Sequence, residues 1–136
     1  HSSTRCVYGF KLHLAINESG KIIAFRLTNG QRHDICEAEN LLKGLSGTAI
    51  GDKGYCSSKI RERLAKSGMR LITTARRNMK SKNTEEEKRL LRRRNLVERV
   101  IGKLKRHIGD SFSRFRAWGA VQATIAIGIM TVNLMP

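Results

Sequence analysis

Two carboxylates stand out in a strongly basic sequence because each occupies a place where a ligand can bind. The chain of 136 residues has 27 Lys and Arg against 11 Asp and Glu, a formal net charge of +16. Asp52 lies in a glycine-flanked turn, residues 51–55, that follows an apolar stretch. Glu98 is the only acid between Glu87 and Asp110. Carboxylates at a strand end and on a basic helix are suited to holding a divalent cation beside phosphates.

Each acid also has an ordinary structural explanation. Asp is a common turn residue, and Glu98 can belong to exposed helical ion pairs that contribute a few tenths of a kcal/mol. The spacing of Arg94, Glu98, Gly102 and Lys105 puts the four residues on one helical stripe. On such a stripe Glu98 can hold a metal ion while Arg94 and Lys105 contact phosphates. The spacing alone leaves both interpretations open.

The positive charge favours a polyanionic partner such as nucleic acid. It is concentrated in residues 76–106, which contain 13 basic and 4 acidic side chains. Residues 76–82 form a basic segment of two Arg and two Lys without an acid, which predicts an exposed loop. Three cysteines and the lack of a signal-peptide pattern favour a reducing, cytoplasmic compartment over a secreted disulfide scaffold.

Residues 117–136 carry no charged side chain and approach the length of a membrane span. Gln122, Asn133 and the small residues between them weaken that interpretation, and no second apolar segment accompanies it. We therefore expect an apolar terminal helix over 117–134 that is buried against the sheet or another domain, and no membrane association.

The apolar periodicity predicts alternating strands and helices, with a hairpin first. Ile23, Phe25 and Leu27 are expected on one buried face, whereas His13 alternates onto the polar face beside Lys11. Asp34 is the predicted N-cap of the first helix, and Ser57 or Ser58 that of the second. The predicted strands are 8–16, 22–27, 45–50 and 69–73, and the predicted helices are 35–43, 58–67, one long helix over 84–108, and 117–134.

These segments resemble the DDE transposases of bacterial insertion sequences. The resemblance covers nearly the whole chain, and its motifs are individually weak but specific in this order. They are Tyr8–Leu14, similar to a YGxKLH strand; Gly30–Asp34; Gly51–Tyr55, similar to the motif of the second catalytic Asp; Arg94-x3-Glu98-x6-Lys105; and Arg76–Lys80, similar to an RxNMK loop.

The resemblance implies a single α/β domain over residues 1–136, with a ribonuclease-H-like mixed sheet and flanking helices. It implies that Asp52 and Glu98 are catalytic metal ligands in a two-metal site for Mg²⁺ or Mn²⁺. It further implies that Arg94, Lys105, Arg76, Arg77 and Lys80 bind DNA, at transposon ends and target. A homodimer in the bacterial cytoplasm, associated with the nucleoid, is the implied setting.

Two departures from the family pattern limit these expectations. Leu91 stands where the family often has Tyr, and the first catalytic Asp of the family lies on a strand upstream of the YGxKLH segment. Asp34 follows the hairpin and is no substitute. We expect a C-terminal portion that lacks the first acid and the first central strand, folds poorly alone and does not cut DNA alone. The rival is a non-catalytic basic nucleic-acid-binding module, which would bind DNA without a metal requirement.

Overall fold

A computed structural model describes residues 9–75, 82–109 and 117–135, and these form the mixed α/β arrangement that the sequence predicts. Its strands are β1 (Phe10–Ile16), β2 (Ile22–Asn29), β3 (Gly47–Gly51) and β4 (Met69–Thr73). Its helices are α1 (Asp34–Leu42), α2 (Ser58–Lys66), α3 (Glu85–Leu91), α4 (Asn95–Ile108) and α5 (Trp118–Leu134), with 3₁₀ turns at Lys53–Tyr55 and Arg92–Arg94.

The described strands form two separate two-stranded sheets, whereas the resemblance implied one mixed sheet. β1 and β2 are an antiparallel hairpin, in which Phe10 lies opposite Asn29. β3 and β4 run parallel, with Gly47 opposite Met69. A two-stranded sheet is at best marginally stable alone, so each sheet depends on the helices packed against it.

The hairpin departs from the predicted alternation at Ile23. The pairing register shifts between Ala15 and Ile16, because Ala24 pairs with Ala15 while Ile22, two residues earlier, pairs with Ile16. A bulged residue leaves the regular ladder, and the residues beside it change face. Ile22 therefore enters the core, while Ile23 is 48% exposed. The prediction that Ile23 shares the buried face of Phe25 and Leu27 was wrong for this reason.

The larger core lies between the hairpin, α4 and α5. Val121 and Ile125 of α5 are completely buried there, so the prediction of a packed apolar helix is confirmed on this side. On the opposite side Ile127, Met130 and Leu134 are exposed. No helix in the described ranges is long and apolar enough to cross a membrane. The core consists of Ile22, Leu27, Val100, Leu104, Ile108, Val121, Ile125, Ile129 and Val132.

The smaller core lies between α2 and the parallel sheet, where Leu64, Met69 and Leu71 are buried. The predicted cap of α2 is confirmed, since the Ser57 side chain accepts a hydrogen bond from the Ile60 N–H. The strand predicted over 69–73 is also present with those bounds. Local signals therefore located this part of the chain well.

Two helix predictions need correction. The helix expected over 84–108 is divided by the Arg92–Arg94 3₁₀ turn, although the capping box at Thr84 is present. Two of the three consecutive arginines on that turn contact carboxylates in different parts of the chain. A 3₁₀ turn is wound more tightly than an α-helix, so consecutive arginine side chains point in more widely separated directions. The N-cap of α1 is His33, because the Asp34 carboxylate contacts the Lys11 ammonium instead, at 3.0 Å.

Enlarging Gly128 should destabilise the larger core. A Cβ atom at Gly128 would lie 2.8 Å from Cγ1 of Ile108 and 3.1 Å from Cδ1 of Leu104. Gly128→Leu should therefore lower the free energy of unfolding by about 1–3 kcal/mol through overpacking. Gly102→Ala is the control, since nothing lies within 4 Å of its Cβ position, and should raise that free energy by about 0.5–1 kcal/mol. Urea denaturation measures both, and equal effects would contradict the proposed packing.

Candidate functional site

A groove separates the two sheets. Its volume is about 790 Å³. β1 contributes Leu12–Ile16 to one wall and β3 contributes 48–51 to the other. Side chains of α1 and α4 line it as well, including Leu41 and Val97. Asp52 and Glu98 both belong to its lining, so the two predicted acids face a common cleft.

One guanidinium connects the two acids. Nη1 of Arg94 lies 2.5 Å from Oδ1 of Asp52, and its Nη2 lies 3.5 Å from Oε1 of Glu98. The two carboxylates are thus close enough to contact the same guanidinium. The sequence placed Arg94 and Glu98 on one helical stripe, but the contact with Asp52, 42 residues away, comes from the fold.

Different elements position the three side chains. Asp52 follows the last residue of β3, Arg94 ends the 3₁₀ turn, and Glu98 lies in the first turn of α4. The side chains of Asp52 and Glu98 are 61% and 63% exposed, and that of Arg94 is 36% exposed. A ligand can therefore reach all three side chains without a change in the fold.

The donor set at this place fits one hard divalent cation. Mg²⁺ prefers oxygen ligands and is commonly bound by one or two carboxylates together with phosphate oxygens. Asp52 and Glu98 offer such carboxylates at the groove. Within residues 9–75, 82–109 and 117–135, no group of three or more His, Cys, Asp and Glu lies close enough to hold a metal ion. The described residues therefore offer two carboxylates at this place, fewer than a two-metal site requires.

Of the other predicted DNA-binding residues, the structure describes only Lys105, which does not join this cluster. Lys105 is exposed on α4, about two helical turns beyond Glu98. Arg76, Arg77 and Lys80 lie outside the described residues. The geometry therefore brings together Asp52, Arg94 and Glu98.

A buried hydrogen-bond network lies behind Asp52, and the sequence did not predict it. His13 is only 2% exposed, which corrects its expected place on a solvated strand face. Its Nδ1 lies 2.7 Å from the Tyr55 hydroxyl, and its Nε2 lies 3.0 Å from Oγ1 of Thr28. α1 covers this face of the hairpin through Ala38 and Leu41, so both faces are covered.

Burial shifts the titration of both rings in this network. Loss of hydration lowers the pKa of His13 below its ordinary value of 6.5, although the carboxylates of Asp34 and Glu37 act in the opposite direction. Loss of hydration, reinforced by the Asp34, Asp52 and Glu37 carboxylates, raises the pKa of Tyr55 to about 12. At neutral pH the imidazole and the phenol are both uncharged.

Two sequence signals could have indicated this network. Tyr55 belongs to the same five-residue motif as Asp52, and His13 lies within the YGxKLH-like strand. The apolar positions of α1, Ala38 and Leu41, also require a partner surface, and α1 contacts both strands of the hairpin. Strand alternation shows only which residues share a face, and it does not show that both faces are covered.

Two accessible carboxylates and a basic helix at one groove of a mixed α/β structure are typical of the class of proteins that bind polyanions. Comparison with known families identifies this class further. The family model described as "Transposase DDE domain" matches residues 1–118, and the chain belongs to that family. No curated protein and no solved structure matches the chain.

The buried His13 predicts a pH dependence of stability. Its pKa is lower in the folded state than in the unfolded state, so the unfolded chain binds more protons just below pH 6.5. The free energy of unfolding should fall as the pH drops through this window, with a slope of at most about 1.4 kcal/mol per pH unit for one proton. His13→Asn should remove this contribution. Urea denaturation of both proteins between pH 7.5 and 5.5 measures it, and parallel profiles would contradict the prediction.

Proposed function

We propose that the chain acts in the transposition of a bacterial insertion sequence, where it supplies two of the acids for metal-dependent cleavage and joining of DNA strands. The observation that carries this proposal is the pair of carboxylates, Asp52 and Glu98, in contact with one Arg94 guanidinium at an open groove. Membership of the transposase DDE domain family supports it, as does the net charge of +16.

Asp52 and Glu98 are the proposed catalytic metal ligands, with Mg²⁺ or Mn²⁺ as the cation. A divalent cation bound there supplies charge stabilisation to the phosphate oxygens during in-line displacement. Both carboxylates are accessible, and the Arg94 guanidinium balances their charge in the structure. In the presence of DNA, the same guanidinium is free to pair with a phosphate, for which its planar donor fork is well suited.

The proposed DNA path follows the basic surface next to the groove. Arg94 lies at the site, and the exposed Lys105 lies further along the same helix face of α4. Arg76, Arg77 and Lys80 are assigned to the same path on sequence grounds, since four of the seven residues in 76–82 are basic. These side chains contact the phosphate backbone and carry no sequence information.

A ribonuclease-H-like sheet is part of the same proposal. In the described structure, β1 pairs only with β2 and β3 pairs only with β4. The walls of the groove are formed by β1 residues Leu12–Ile16 and by β3 residues 48–51. An extended apolar segment lying in this groove would satisfy both strand edges and join the two sheets into one.

The proposed setting is a bacterial cytoplasm, with the protein associated with the nucleoid through its positive charge. DNA is the proposed partner, both as transposon end and as target, and a homodimer brings two such ends together.

Metal binding tests the assignment of the two acids. Asp52→Asn and Glu98→Gln should each raise the dissociation constant for Mn²⁺, measured by electron paramagnetic resonance with a DNA duplex present, by about tenfold or more. Glu62→Gln is the matched control, because Glu62 is an exposed acid on α2 outside the groove. Mg²⁺ should compete with Mn²⁺. Wild-type affinity in Asp52→Asn would overturn the metal assignment, whereas DNA binding should survive this substitution.

Salt dependence tests the assignment of the basic segment. The log of the affinity for a DNA duplex should fall linearly with the log of the salt concentration, by about 0.9 per phosphate contact. Replacing Arg76, Arg77 and Lys80 with Ala should reduce the slope by about 2.7, as expected for three contacts. The control replaces three exposed lysines elsewhere, Lys43, Lys59 and Lys66, with the same change of charge. Equal slopes for the two triple variants would remove residues 76–80 from the DNA path.

A further inference from the structure

We propose that His13 and Tyr55 are positioning residues for Asp52. Their hydrogen bond holds the Lys53–Tyr55 turn, and with it the Asp52 carboxylate, where that carboxylate meets Arg94 and Glu98. The inference rests on the proposed function, because it names the residues that hold the same site in place. It concerns two side chains in the wall of the groove, whose role neither the family match nor the acid motif assigns.

Asp52 and Tyr55 are coupled through one short stretch of backbone. Asp52 has an extended conformation, with φ −74° and ψ 165°, and the 3₁₀ turn begins at the next residue. The Tyr55 N–H donates to the Asp52 carbonyl at 2.9 Å, and the Cys56 N–H donates to the Lys53 carbonyl at 3.2 Å. A displacement of Tyr55 therefore moves the residue that carries the carboxylate.

The hydrogen bonds that hold the turn form a chain in which the donor and the acceptor of each bond can be assigned. The Thr28 hydroxyl donates to the Lys11 carbonyl at 3.4 Å, so its oxygen accepts from Nε2–H of His13 at 3.0 Å. That tautomer leaves Nδ1 of His13 as an acceptor, and the Tyr55 hydroxyl donates to it at 2.7 Å. One end of this chain, the Lys11 carbonyl, is on the β1–β2 hairpin, and the other end, Tyr55, is in the turn after β3. The network therefore fastens that turn to the other sheet.

A second contact holds the same turn from the side of α1. A Cβ atom at Gly54 would lie 2.9 Å from Oδ2 of Asp34, so the backbone of the turn lies directly against this carboxylate. Oδ1 of Asp34 is 3.0 Å from Nζ of Lys11, which also donates to the Arg32 carbonyl at 2.9 Å. The turn is therefore held by β1 at Tyr55 and by α1 at Gly54.

His13 and Tyr55 act through the backbone and do not act on the substrate. Among the described residues, no hydrogen bond joins either ring to the carboxylate of Asp52 or Glu98. His13 is 2% exposed, so it does not reach the groove solvent. They contribute by orienting Asp52. Hydrogen bonds that orient a metal ligand commonly affect the affinity of the site for the metal.

The test compares variants of the whole chain with two measurements. Tyr55→Phe removes only the hydroxyl, and His13→Leu removes the acceptor while it keeps an apolar side chain. Both should raise the Mn²⁺ dissociation constant, measured with a DNA duplex, by about tenfold or more. Both should also accelerate hydrogen exchange of the Tyr55 and Cys56 amides relative to the rest of the chain. His13→Asn places an oxygen near the position of Nδ1 and should restore a large part of both properties.

Ser67→Ala is the matched control. The Ser67 hydroxyl donates to the Leu64 carbonyl at 2.8 Å at the end of α2, so this variant also loses one side-chain hydrogen bond. It should leave the Mn²⁺ dissociation constant and the exchange of the Tyr55 and Cys56 amides unchanged.

Two results would overturn the positioning role: wild-type Mn²⁺ affinity and wild-type exchange in Tyr55→Phe, or faster exchange spread evenly over the chain. A wild-type protein that binds no Mn²⁺ in the presence of DNA would instead count against the proposed function. In that case the exchange rates of the Tyr55 and Cys56 amides still decide whether the hydrogen bond holds the turn.

Discussion

The buried carboxylate of Glu37 determines where α1 lies, and the position of α1 determines how the two sheets meet. Glu37 is completely buried and contacts Nε of Arg26 at 2.8 Å and Nε of Arg32 at 2.6 Å. A buried charge without partners is costly, so the two arginines stabilise α1 in this position. One turn earlier on the same helix, Asp34 lies against Gly54 of the turn that follows β3. The ion pairs of Glu37 thus align the hairpin with the second sheet.

Because α1 aligns the two sheets, the placement of the two acids in the candidate site does not depend on the ion pairs between Arg94 and these acids. Arg94 joins Asp52 to Glu98, but all three side chains are substantially exposed, and exposed pairs contribute about 0–1 kcal/mol. Packing of α4 on the hairpin fixes Glu98, while α1 and the Tyr55 hydrogen bond fix the turn that carries Asp52. The Arg94 contacts are free to break when a ligand binds, because the surrounding fold already holds both acids in place.

Features encoded within a short window were predictable, and features that depend on distant partners were not. The Ser57 cap, the Thr84 capping box and the strand Met69–Thr73 follow from neighbouring residues, and the sequence located them. The exposure of Ile23 depends on a shift in pairing with β1, and the burial of His13 depends on α1 covering the hairpin. Neither condition is present in the local pattern. For the candidate site, residue types and the Arg94–Glu98 spacing were readable, but the contact between Arg94 and Asp52 required the fold.

The link between Ile22 and Asn133 has a consequence for the order of folding. The Asn133 side chain accepts from the Ile22 N–H and donates to the Ile22 carbonyl, both at 2.8 Å, across 111 residues of sequence. Val121, Ile125 and Val132 of α5 belong to the same core as the hairpin. Contacts of such long sequence separation form slowly, because the entropy of closing the chain is lost first. On the ribosome, the hairpin emerges long before α5, and the part of its apolar face that α5 covers stays open until residues 118–134 are made. An apolar face left uncovered in this way is the kind of surface from which chaperones protect a folding chain.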